Sequence, residues 1–280
     1  MNNISTITVV LNDDEALERT IQSVFNQTCH AKEFIIIDGG STDGSVELIK
    51  KYKDSVSFWI SEPDKGIYDA MNKGLKKATS EWVLFLNAGD VFSDEHVLEK
   101  IFSQKTEDAD VIYGDSIADY GSFSVYRAAG KPNDMWKGMF CNHQSMLFRR
   151  EALLSVSAGR DESGRLRCFN TDLHISADHD LVCRLYRSGV TFKQVAIPVA
   201  VWETSGLSNR MQVRSVIERY RMIEPWFHRD LKVRVYYLWL LFLAALVEGM
   251  YRLLPLNLMK LMIRLANRKS LVNQSKPGSC

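Results

Sequence analysis

The sequence has too little charge imbalance and too few cysteines for several protein classes. In its 280 residues, 35 basic side chains nearly balance 34 acidic ones, for a formal net charge of +1. Because nucleic-acid-binding domains usually carry a strong basic excess, this balance argues against a nucleic-acid partner. The five cysteines are odd in number, and no Cys-x-x-Cys pair occurs among them. We therefore expect reduced thiols in a cytosolic protein, with neither a zinc ribbon nor a disulfide framework.

Sequence motifs of several common enzyme classes are also missing. No Gly-x-Ser-x-Gly elbow, Walker A loop or Gly-x-Gly-x-x-Gly fingerprint occurs, which argues against hydrolase, kinase-type and dinucleotide-binding functions. The first fifteen residues carry no basic cluster and only a short apolar run, so we expect a first strand there and not a signal peptide. An active part that stays in the cytoplasm follows from that expectation.

Strand and helix patterns alternate through the first 90 residues, and the 46% hydrophobic share is enough for a sizeable core. Apolar, β-branched runs predict strands at residues 4–11, 33–38, 56–60 and 82–86. Helical spacing and N-cap residues predict helices at residues 15–25, 46–52 and 67–78. This alternation predicts an α/β fold with a mostly parallel sheet flanked by helices, whose ligand crevice lies at the carboxyl ends of the strands.

Beyond residue 110 the pattern is less regular, and it changes character near residue 210. The expected strands lie at residues 111–113, 123–126, 145–148 and 191–202. One expected helix begins at Arg150, and another covers residues 177–188. Residues 210–226 are polar and helical in pattern. We therefore expect one domain over residues 1–209 and a helical C-terminal segment over residues 210–280.

The C-terminal segment combines apolar runs with basic residues. Residues 235–247 are continuously apolar, and the apolar character resumes at Leu256. The basic residues around these runs are Lys232, Arg234, Arg252, Lys260, Arg264, Arg268 and Lys269. Because the run is shorter than the ~20 residues of a spanning helix, we favour a segment that lies on the membrane surface. A true span and a soluble packing or dimerisation helix are the alternatives, and a homo-oligomer stays open.

Asp38 ends a predicted buried strand and is followed by Gly39, Gly40 and the start of a helix. Glycines at such a turn let the backbone approach a nucleotide closely, and the carboxylate is able to accept a hydrogen bond from a base or a ribose. The alternative is a plain strand-to-helix turn in which the aspartate and a serine cap the helix.

A second motif, residues 61–74, opens an amphipathic helix with acidic and amide side chains near its N-terminus. Asp64 and Asn72 belong to it, and this end of a helix suits a phosphate-bearing ligand. An acidic first turn that interacts with the helix dipole explains Asp64 equally well.

A third motif, residues 85–90, follows the strand predicted at residues 82–86 and ends in Asp90. Magnesium usually takes one or two protein carboxylates and completes its shell with phosphates and water, so Asp90 is a candidate ligand for Mg²⁺ or Mn²⁺ beside a diphosphate. A loop aspartate without a ligand is the alternative.

Together the three motifs resemble, in order and spacing, the catalytic domain of family 2 glycosyltransferases, which have the GT-A fold. The resemblance runs from about Ile4 to about Asn209 and is most specific between Asp38 and Asp90. Residues 61–74 are similar to the subgroup that assembles exopolysaccharides and O-antigens, including colanic acid fucosyltransferase-like enzymes. The resemblance implies an inverting enzyme that uses Mg²⁺ or Mn²⁺ and moves a monosaccharide from a UDP- or GDP-sugar to a lipid-linked oligosaccharide. The basic apolar tail would keep this enzyme at the cytoplasmic face of the bacterial inner membrane.

On the donor side, the resemblance implies that Asp38 helps to hold the base or ribose and that Asp90 binds the metal. Asp64 and Asn72 would belong to the donor-binding helix and the turn before it. The sequence departs from the family pattern in this region.

Three positions carry these departures. Gly39 stands where the family often has a second acid, so selectivity between UDP and GDP is open. Met71 replaces a common arginine, which removes a positive charge near the diphosphate. Asn87 replaces the first acid of the metal-binding element, so metal dependence rests mainly on Asp90.

On the acceptor side, residues 176–181 resemble the family's Glu-Asp element. Position matching implies that Asp178 is the catalytic base, which takes the proton from the acceptor hydroxyl, with Asp180 as runner-up. His143 and Asp115 are expected on the acceptor or phosphate side, although a hydrogen-bonded structural histidine is the alternative for His143. Residues 202–209 resemble a segment that closes over the donor.

Two other functions compete with a glycosyltransferase. A nucleotidyltransferase also uses an α/β sheet, a nucleotide and Mg²⁺, but it would need a glycine- and basic-rich loop that residues 11–15 do not provide. A catalytically degenerate scaffold of a polysaccharide assembly complex is the other alternative, which the missing acids at Gly39 and Asn87 favour.

Overall fold

The computed structural model describes residues 2–160, 164, 166–204, 211–227 and 230–272. In its first part, strands and helices alternate: β1 (Asn2–Val10), α1 (Asp14–Phe25), β2 (Ala31–Asp38), α2 (Ser45–Lys51), β3 (Phe58–Ser61), α3 (Ile67–Lys77) and β4 (Trp82–Phe85). β1 pairs in parallel with both β2 and β4, and β2 pairs in parallel with β3. Each element lies within a few residues of its predicted position.

The second part of the sheet is mixed. Its elements are β5 (Val91–Phe92), α4 (Val97–Phe102), β6 (Val111–Asp119), β7 (Ser124–Arg127), β8 (Met146–Arg149), α5 (Arg150–Ser155), α6 (Ala177–Arg187) and β9 (Phe192–Glu203). β8 is antiparallel to both β4 and β6, β7 is antiparallel to β6, and β9 is parallel to β6. The parallel arrangement expected from the sequence therefore holds across β3, β2, β1 and β4, and the sheet becomes mixed beyond β4.

Helices cover both faces of this sheet. Along β2, Phe34 and Ile36 point to the core shared with α1, α2 and α4, whereas Ile35 and Ile37 point to the core shared with α3, α5 and α6. Successive strand residues face opposite sides, so a strand buried on both faces is apolar at every position. This explains why the continuous run of isoleucines forms a central strand.

The loops after β2 and β4 meet at one rim of the sheet. Gly39 donates its backbone N–H to the Val10 carbonyl at 2.9 Å, and Ala88 donates to the Val9 carbonyl at 3.1 Å. Both loops are thus attached to the end of β1, which lies between β2 and β4. The motifs around Asp38 and Asp90 are neighbours for this reason.

The C-terminal segment packs against the sheet domain. It contains α7 (Gln212–Phe227), α8 (Leu231–Leu253), α9 (Leu256–Ala266) and a short strand, β10 (Leu271–Val272). Val216 and Ile223 of α7 form a small core with Val233 and Tyr237 of α8. β10 pairs antiparallel with β7 at the edge of the sheet. The segment predicted as helical therefore also contributes a strand to the sheet.

Among the described helices, α8 alone is long and apolar enough, by length and composition, to cross a membrane. Hydrogen bonds attach it to the sheet domain at one point and to α7 at another. The Tyr237 hydroxyl donates to the Trp136 carbonyl at 2.9 Å, and the Glu248 carboxylate accepts from the Val213 N–H at 2.8 Å. Its outer face, in contrast, is exposed; this face consists of Leu231, Val235, Leu238, Trp239, Phe242 and Leu246.

Candidate active site

Asp38 organises the loop after β2. The residue is fully buried, and its carboxylate accepts hydrogen bonds from the backbone N–H groups of Gly40 (3.1 Å) and Ser41 (3.0 Å). It also accepts from the hydroxyls of Ser41 and Ser61. Gly40 has a φ of +88°, a conformation that glycine adopts without steric cost. Asp38 thus fixes the shape of the turn after β2.

Asp64 lies directly over Gly39. A β-carbon on Gly39 would stand 2.5 Å from the Asp64 Oδ2 atom, so no larger residue fits there without displacing that carboxylate. The other oxygen, Oδ1, accepts from the Gly66 N–H at 2.8 Å. Asp64 therefore supplies a carboxylate beside the position where the family often has a second acid, which no local sequence pattern indicates.

Asn72, which the sequence places in the predicted donor-binding helix, is buried and makes its hydrogen bonds within the protein. It is 3% exposed, and its amide donates to the Phe169 carbonyl at 2.9 Å. Its oxygen accepts from the backbone N–H groups of Cys168 (2.9 Å) and Phe169 (3.0 Å). These three hydrogen bonds join α3 to the segment before α6, because a buried amide must satisfy its polar atoms internally.

Asp90 is buried at the end of the loop after β4. Its Oδ2 atom accepts a hydrogen bond from the Gln144 side-chain amide at 2.9 Å, and Oδ1 lies 3.4 Å from the Glu203 N–H. Burial raises the pKa of this carboxyl to about 6, although the hydrogen bond from Gln144 acts in the opposite direction. The Thr20 hydroxyl donates to the Asp90 carbonyl at 2.8 Å and fixes the loop on α1.

Asn87 leaves one buried oxygen without a protein partner. Its Nδ2 atom lies 3.4 Å from Nε2 of His143, whereas its Oδ1 atom is buried and makes no hydrogen bond. Amide and carboxylate oxygens are ligands of hard cations, so Asn87 and Asp90 fit a divalent ion that completes its shell with phosphate and water oxygens. Across the described residues, no group of three His, Cys, Asp or Glu side chains has the arrangement of an all-protein metal site.

Asp178 and His143 form a hydrogen-bonded pair. Nδ1 of His143, in the 3₁₀ turn before β8, lies 3.1 Å from Oδ2 of Asp178, in the first turn of α6. Oδ1 of Asp178 accepts from the His179 N–H at 2.8 Å and lies 3.2 Å from the Tyr68 hydroxyl. Burial acts to raise the pKa of Asp178, but the hydrogen bonds from His143 and the His179 N–H outweigh it and hold this pKa below its usual value.

The Asp178–His143 pair and the Asp90 loop belong to one hydrogen-bonded set. His143 contacts both Asn87 and Asp178, and the next residue, Gln144, donates to Asp90. Two successive residues of one turn therefore fix the distance between the oxygen atoms of the β4 loop and the carboxylate of α6. An arrangement of this kind can hold a diphosphate at one end and deprotonate a hydroxyl at the other.

Asp115 and Asp180, the other two acidic residues predicted on the acceptor side, are not part of this hydrogen-bonded set. Asp115 accepts hydrogen bonds from the Tyr126 hydroxyl and from the Ala129 N–H (2.7 Å), so it links β6 to the strand and loop that follow. Asp180 forms an ion pair with Arg184 at 2.9 Å, one turn further along α6. Neither residue lines the cavity beside Asp178.

A cavity of about 440 Å³ opens beside the Asp178–His143 pair. Trp202, at the end of β9, also lines it, whereas residues 205–209 of the closing segment predicted at 202–209 lie outside the described residues. Sequence reasoning missed the other side of this cavity, which α7 and α8 provide. A larger and more open cavity of about 790 Å³, between α1 and β5, contains none of the predicted site residues.

Tyr68 and Gln144 are further site residues that sequence reasoning did not single out. Sequence patterns did mark their surroundings, because Tyr68 lies within the 61–74 motif and Gln144 directly follows the candidate residue His143. Their roles depend on contacts with Asp178 and Asp90, which are distant in sequence.

Comparison with known proteins identifies relatives over most of the chain. A family model described as glycosyl transferase family 2 matches residues 5–157, more than half of the chain. A PGL/p-HBAD biosynthesis glycosyltransferase of Mycobacterium bovis is 28% identical over 225 residues, which cover 78% of this chain and 84% of that protein. A cholesterol galactosyltransferase of Borreliella burgdorferi is 34% identical over 112 residues, which cover 39% of this chain and 31% of that protein.

Solved structures show the same fold. S. aureus TarS superposes with a TM-score of 0.61 at 16% identity, over 84% of this chain and 41% of TarS, so this chain spans less than half of that protein. The mannosyltransferase PcManGT from Pyrobaculum calidifontis, in complex with GDP-Man and Mn²⁺, has a TM-score of 0.60 at 15% identity, over 94% of this chain and 79% of its own. At these identities the likeness concerns the fold alone, and it confirms the predicted α/β, GT-A-type architecture.

Proposed function

Because the chain belongs to glycosyl transferase family 2, we propose that it moves a monosaccharide from a UDP- or GDP-sugar to an acceptor hydroxyl with inversion. It is a glycosyltransferase of bacterial glycoconjugate biosynthesis, which sets the nucleotidyltransferase alternative aside. The inverting transfer that we propose is supported mainly by the hydrogen-bonded set in which His143 and Gln144 connect Asp178 to Asn87 and Asp90.

Asp178 is the proposed base. Its lowered pKa keeps the carboxylate ionised at neutral pH, so it is ready to accept a proton. The acceptor oxygen attacks C1 of the donor sugar while its proton passes to Asp178. The bond between C1 and the diphosphate oxygen breaks, and its electron pair leaves with the nucleoside diphosphate. One bond forms and one breaks at C1, which inverts its configuration.

The turn after β2 is the proposed site for the nucleoside. Asp38 holds this turn in shape, and Asp64 places a carboxylate next to Gly39, where a base or ribose hydroxyl could donate to it. Two structures of the same fold, PcManGT with GDP-Man and TarS with UDP, were solved with nucleotide ligands, which supports a nucleotide as the ligand of this chain. The choice between UDP and GDP depends on the shape of this turn.

Asn87 and Asp90 are the proposed ligands of Mg²⁺ or Mn²⁺. Their oxygen atoms suit such an ion, and the relative PcManGT was solved with Mn²⁺. When bound, the ion supplies Lewis-acid neutralisation of the charge on the leaving diphosphate. Gln144 orients the Asp90 carboxylate for this contact through its hydrogen bond.

A membrane surface is the proposed location, at the cytoplasmic face of the bacterial inner membrane, with a lipid-linked glycan as acceptor. The outer face of α8 exposes large apolar side chains, and Lys232, Arg264 and Lys269 are exposed on α8, on α9 and after it. Tyr237 attaches α8 to the sheet domain, and Glu248, about 16 Å further along the helix, attaches it to α7. A helix held this way is not free to cross a hydrocarbon core about 30 Å thick, which favours the interfacial alternative over the span.

A binding panel tests the donor site. We expect one of UDP, GDP or their sugars to raise the melting temperature of the protein, and Mn²⁺ to strengthen this effect. Asp90→Asn should weaken metal-dependent nucleotide binding, measured by calorimetry, by about 10- to 100-fold, because it removes the charge that contacts the cation.

The control is Asp94→Asn, which removes the same charge from an exposed aspartate four residues away that pairs with Lys100. It should leave nucleotide affinity unchanged. If no nucleotide binds to the wild-type protein with either metal, the donor-site assignment is wrong and the scaffold alternative takes its place.

A further inference from the structure

The cavity beside the Asp178–His143 pair has a polar end and an apolar wall. Asp178, His143 and Ser176 lie at the polar end. The apolar wall comes from one side of α8 and consists of Leu240, Leu243, Ala244 and Val247. A ligand that fills this cavity must therefore present a hydroxyl to Asp178 and apolar groups to α8.

Arg219 of α7 adds a positive charge to the same cavity. Its Nε atom donates to the Ser215 carbonyl at 3.3 Å, and its Nη1 atom lies against Gly138, where a β-carbon would stand 3.0 Å away. In the described ranges of the chain, no aspartate or glutamate forms an ion pair with Arg219. A half-buried guanidinium without a carboxylate is suited to an anionic ligand, since it offers planar, paired N–H donors.

The nearest acid along α7 is already engaged elsewhere. Glu218 pairs with Arg214 at 3.2 Å and accepts from the backbone N–H groups of Ile175 (2.9 Å) and Ser176 (3.2 Å). It therefore fixes the loop before α6 and does not neutralise Arg219. The positive charge in the cavity stays available to a ligand.

The apolar wall connects this cavity to the outer face of α8. Leu243 and Val247 line the cavity, while Phe242 and Leu246, the residues immediately before them, are on the exposed side. A hydrocarbon chain that leaves the cavity along α8 would therefore reach the surface that we propose to contact the membrane. This continuity of apolar surface favours a lipid over a free phosphate compound.

We propose that this cavity binds the phosphate-bearing head of a lipid-linked acceptor, with the phosphate on Arg219 and the lipid chain along α8; this rests on the proposed glycosyltransferase function. The volume of about 440 Å³ lies at the lower end of the ~300–1,000 Å³ typical of small-ligand sites. Because Asp178 and Arg219 line one compact cavity, the sugar that reacts is the one next to the phosphate. The acceptor glycan at this step is therefore short.

Binding of farnesyl phosphate to the full-length protein in detergent micelles tests the site without knowledge of the acceptor sugar. We expect Arg219→Gln to weaken this binding, measured by calorimetry, by about 10- to 100-fold, because a charge-assisted contact is lost. Arg219→Lys should recover part of the affinity. Arg221→Gln, which removes the same charge from an exposed position of the same helix, should have no effect.

Comparison ligands identify the source of the phosphate. Farnesol, which lacks the charge, and inorganic phosphate, which lacks the chain, should both bind much more weakly than farnesyl phosphate. If inorganic phosphate binds as tightly as farnesyl phosphate, the site serves a soluble phosphate compound and the lipid assignment is wrong. If Arg219→Gln instead lowers UDP or GDP affinity and leaves farnesyl phosphate binding unchanged, the arginine serves the donor.

The apolar wall has its own matched pair of variants. Leu243→Gln changes the wall of the cavity, whereas Leu238→Gln makes the same change on the outer face of α8. Only the first should weaken farnesyl phosphate binding, and Val247→Ala serves as a milder substitution if Leu243→Gln does not fold. Equal effects of the two glutamine variants would contradict the proposed path of the chain. Nucleotide binding by all of these variants should be normal, so the failure of this site and that of the donor site are distinguishable.

Discussion

His143 connects the two halves of the proposed reaction at the scale of single residues. A neutral ring with its proton on Nδ1 satisfies both contacts, because Nδ1–H then donates to Asp178 and Nε2 accepts from Asn87. The histidine thus orients the proposed base, and its contact with Nδ2 of Asn87 leaves the oxygen of that side chain for another ligand. The sequence indicated His143 and Asp178 as candidates, but it could not show that the two side chains are in contact, since 35 positions separate them.

A pH profile of turnover separates this role from a merely structural one. In the wild type, the pKa of Asp178 is held below its usual value of 3.8, so the carboxylate is ionised through the mildly acidic range. Without the hydrogen bond from His143, burial is less opposed and the pKa rises. We therefore expect His143→Ala to lose activity at a higher pH than the wild type as the solution is acidified.

The same substitution at an exposed histidine, His96→Ala, is the control and should leave the acid limb of the profile where it is. A His143→Ala profile with an unchanged acid limb and only a lower maximum would show that the histidine does not tune the base.

At the scale of elements, α8 has two different sides. The inner side contributes to the core with α7 and to the wall of the cavity beside Asp178, while the outer face carries exposed Leu238 (68%), Trp239 (54%) and Phe242 (62%). Exposure of several large apolar residues on one face is unusual for a soluble protein and marks an interaction surface. Exposed basic residues of the same C-terminal segment, such as Lys232 and Arg264, suit an anionic lipid surface.

Sedimentation with anionic lipid vesicles tests this surface. The double variant Leu238→Ser and Phe242→Ser should bind vesicles much more weakly, because burial of each side chain in the interface contributes about 1.5–3 kcal/mol. Leu166→Ser, which changes an exposed leucine outside α8, is the control and should bind like the wild type. Unchanged sedimentation of the double variant would show that α8 does not attach the protein to membranes.

The sequence predicts elements well where the signal is local and poorly where it is not. The apolar run of β2 and the helical spacing of α1 each lie within a short stretch of sequence, so the positions of these elements were predicted within a few residues. β5 and β10 have two residues each and exist because they pair with β9 and β7, which no local pattern indicates. The apolar run at residues 235–247 predicted a membrane-associating helix, but not that its inner side would close a cavity next to Asp178.

At the scale of the whole molecule, the site joins three parts of the chain that are distant in sequence. The β4 loop brings Asp90, the turn before β8 brings His143, and the first turn of α6 brings Asp178. The sheet holds the first two together because β8 pairs with β4. Sequence motifs singled out these three residues as candidates together with Asp115 and Asp180, and no local pattern could show that Asp115 and Asp180 pair with Tyr126 and Arg184 instead.

Turnover of the nucleotide sugar by Asp178→Asn and Asp180→Asn tests the central claim most directly. With the donor that the binding panel identifies, Asp178→Asn should lower kcat by about 10²- to 10⁴-fold, the usual contribution of a general base, and should bind the nucleotide normally. Asp180→Asn removes the same charge two residues away, from an aspartate that only pairs with Arg184, and should keep kcat within a few-fold of the wild type. A large loss in Asp180→Asn together with near-normal turnover in Asp178→Asn would contradict the account.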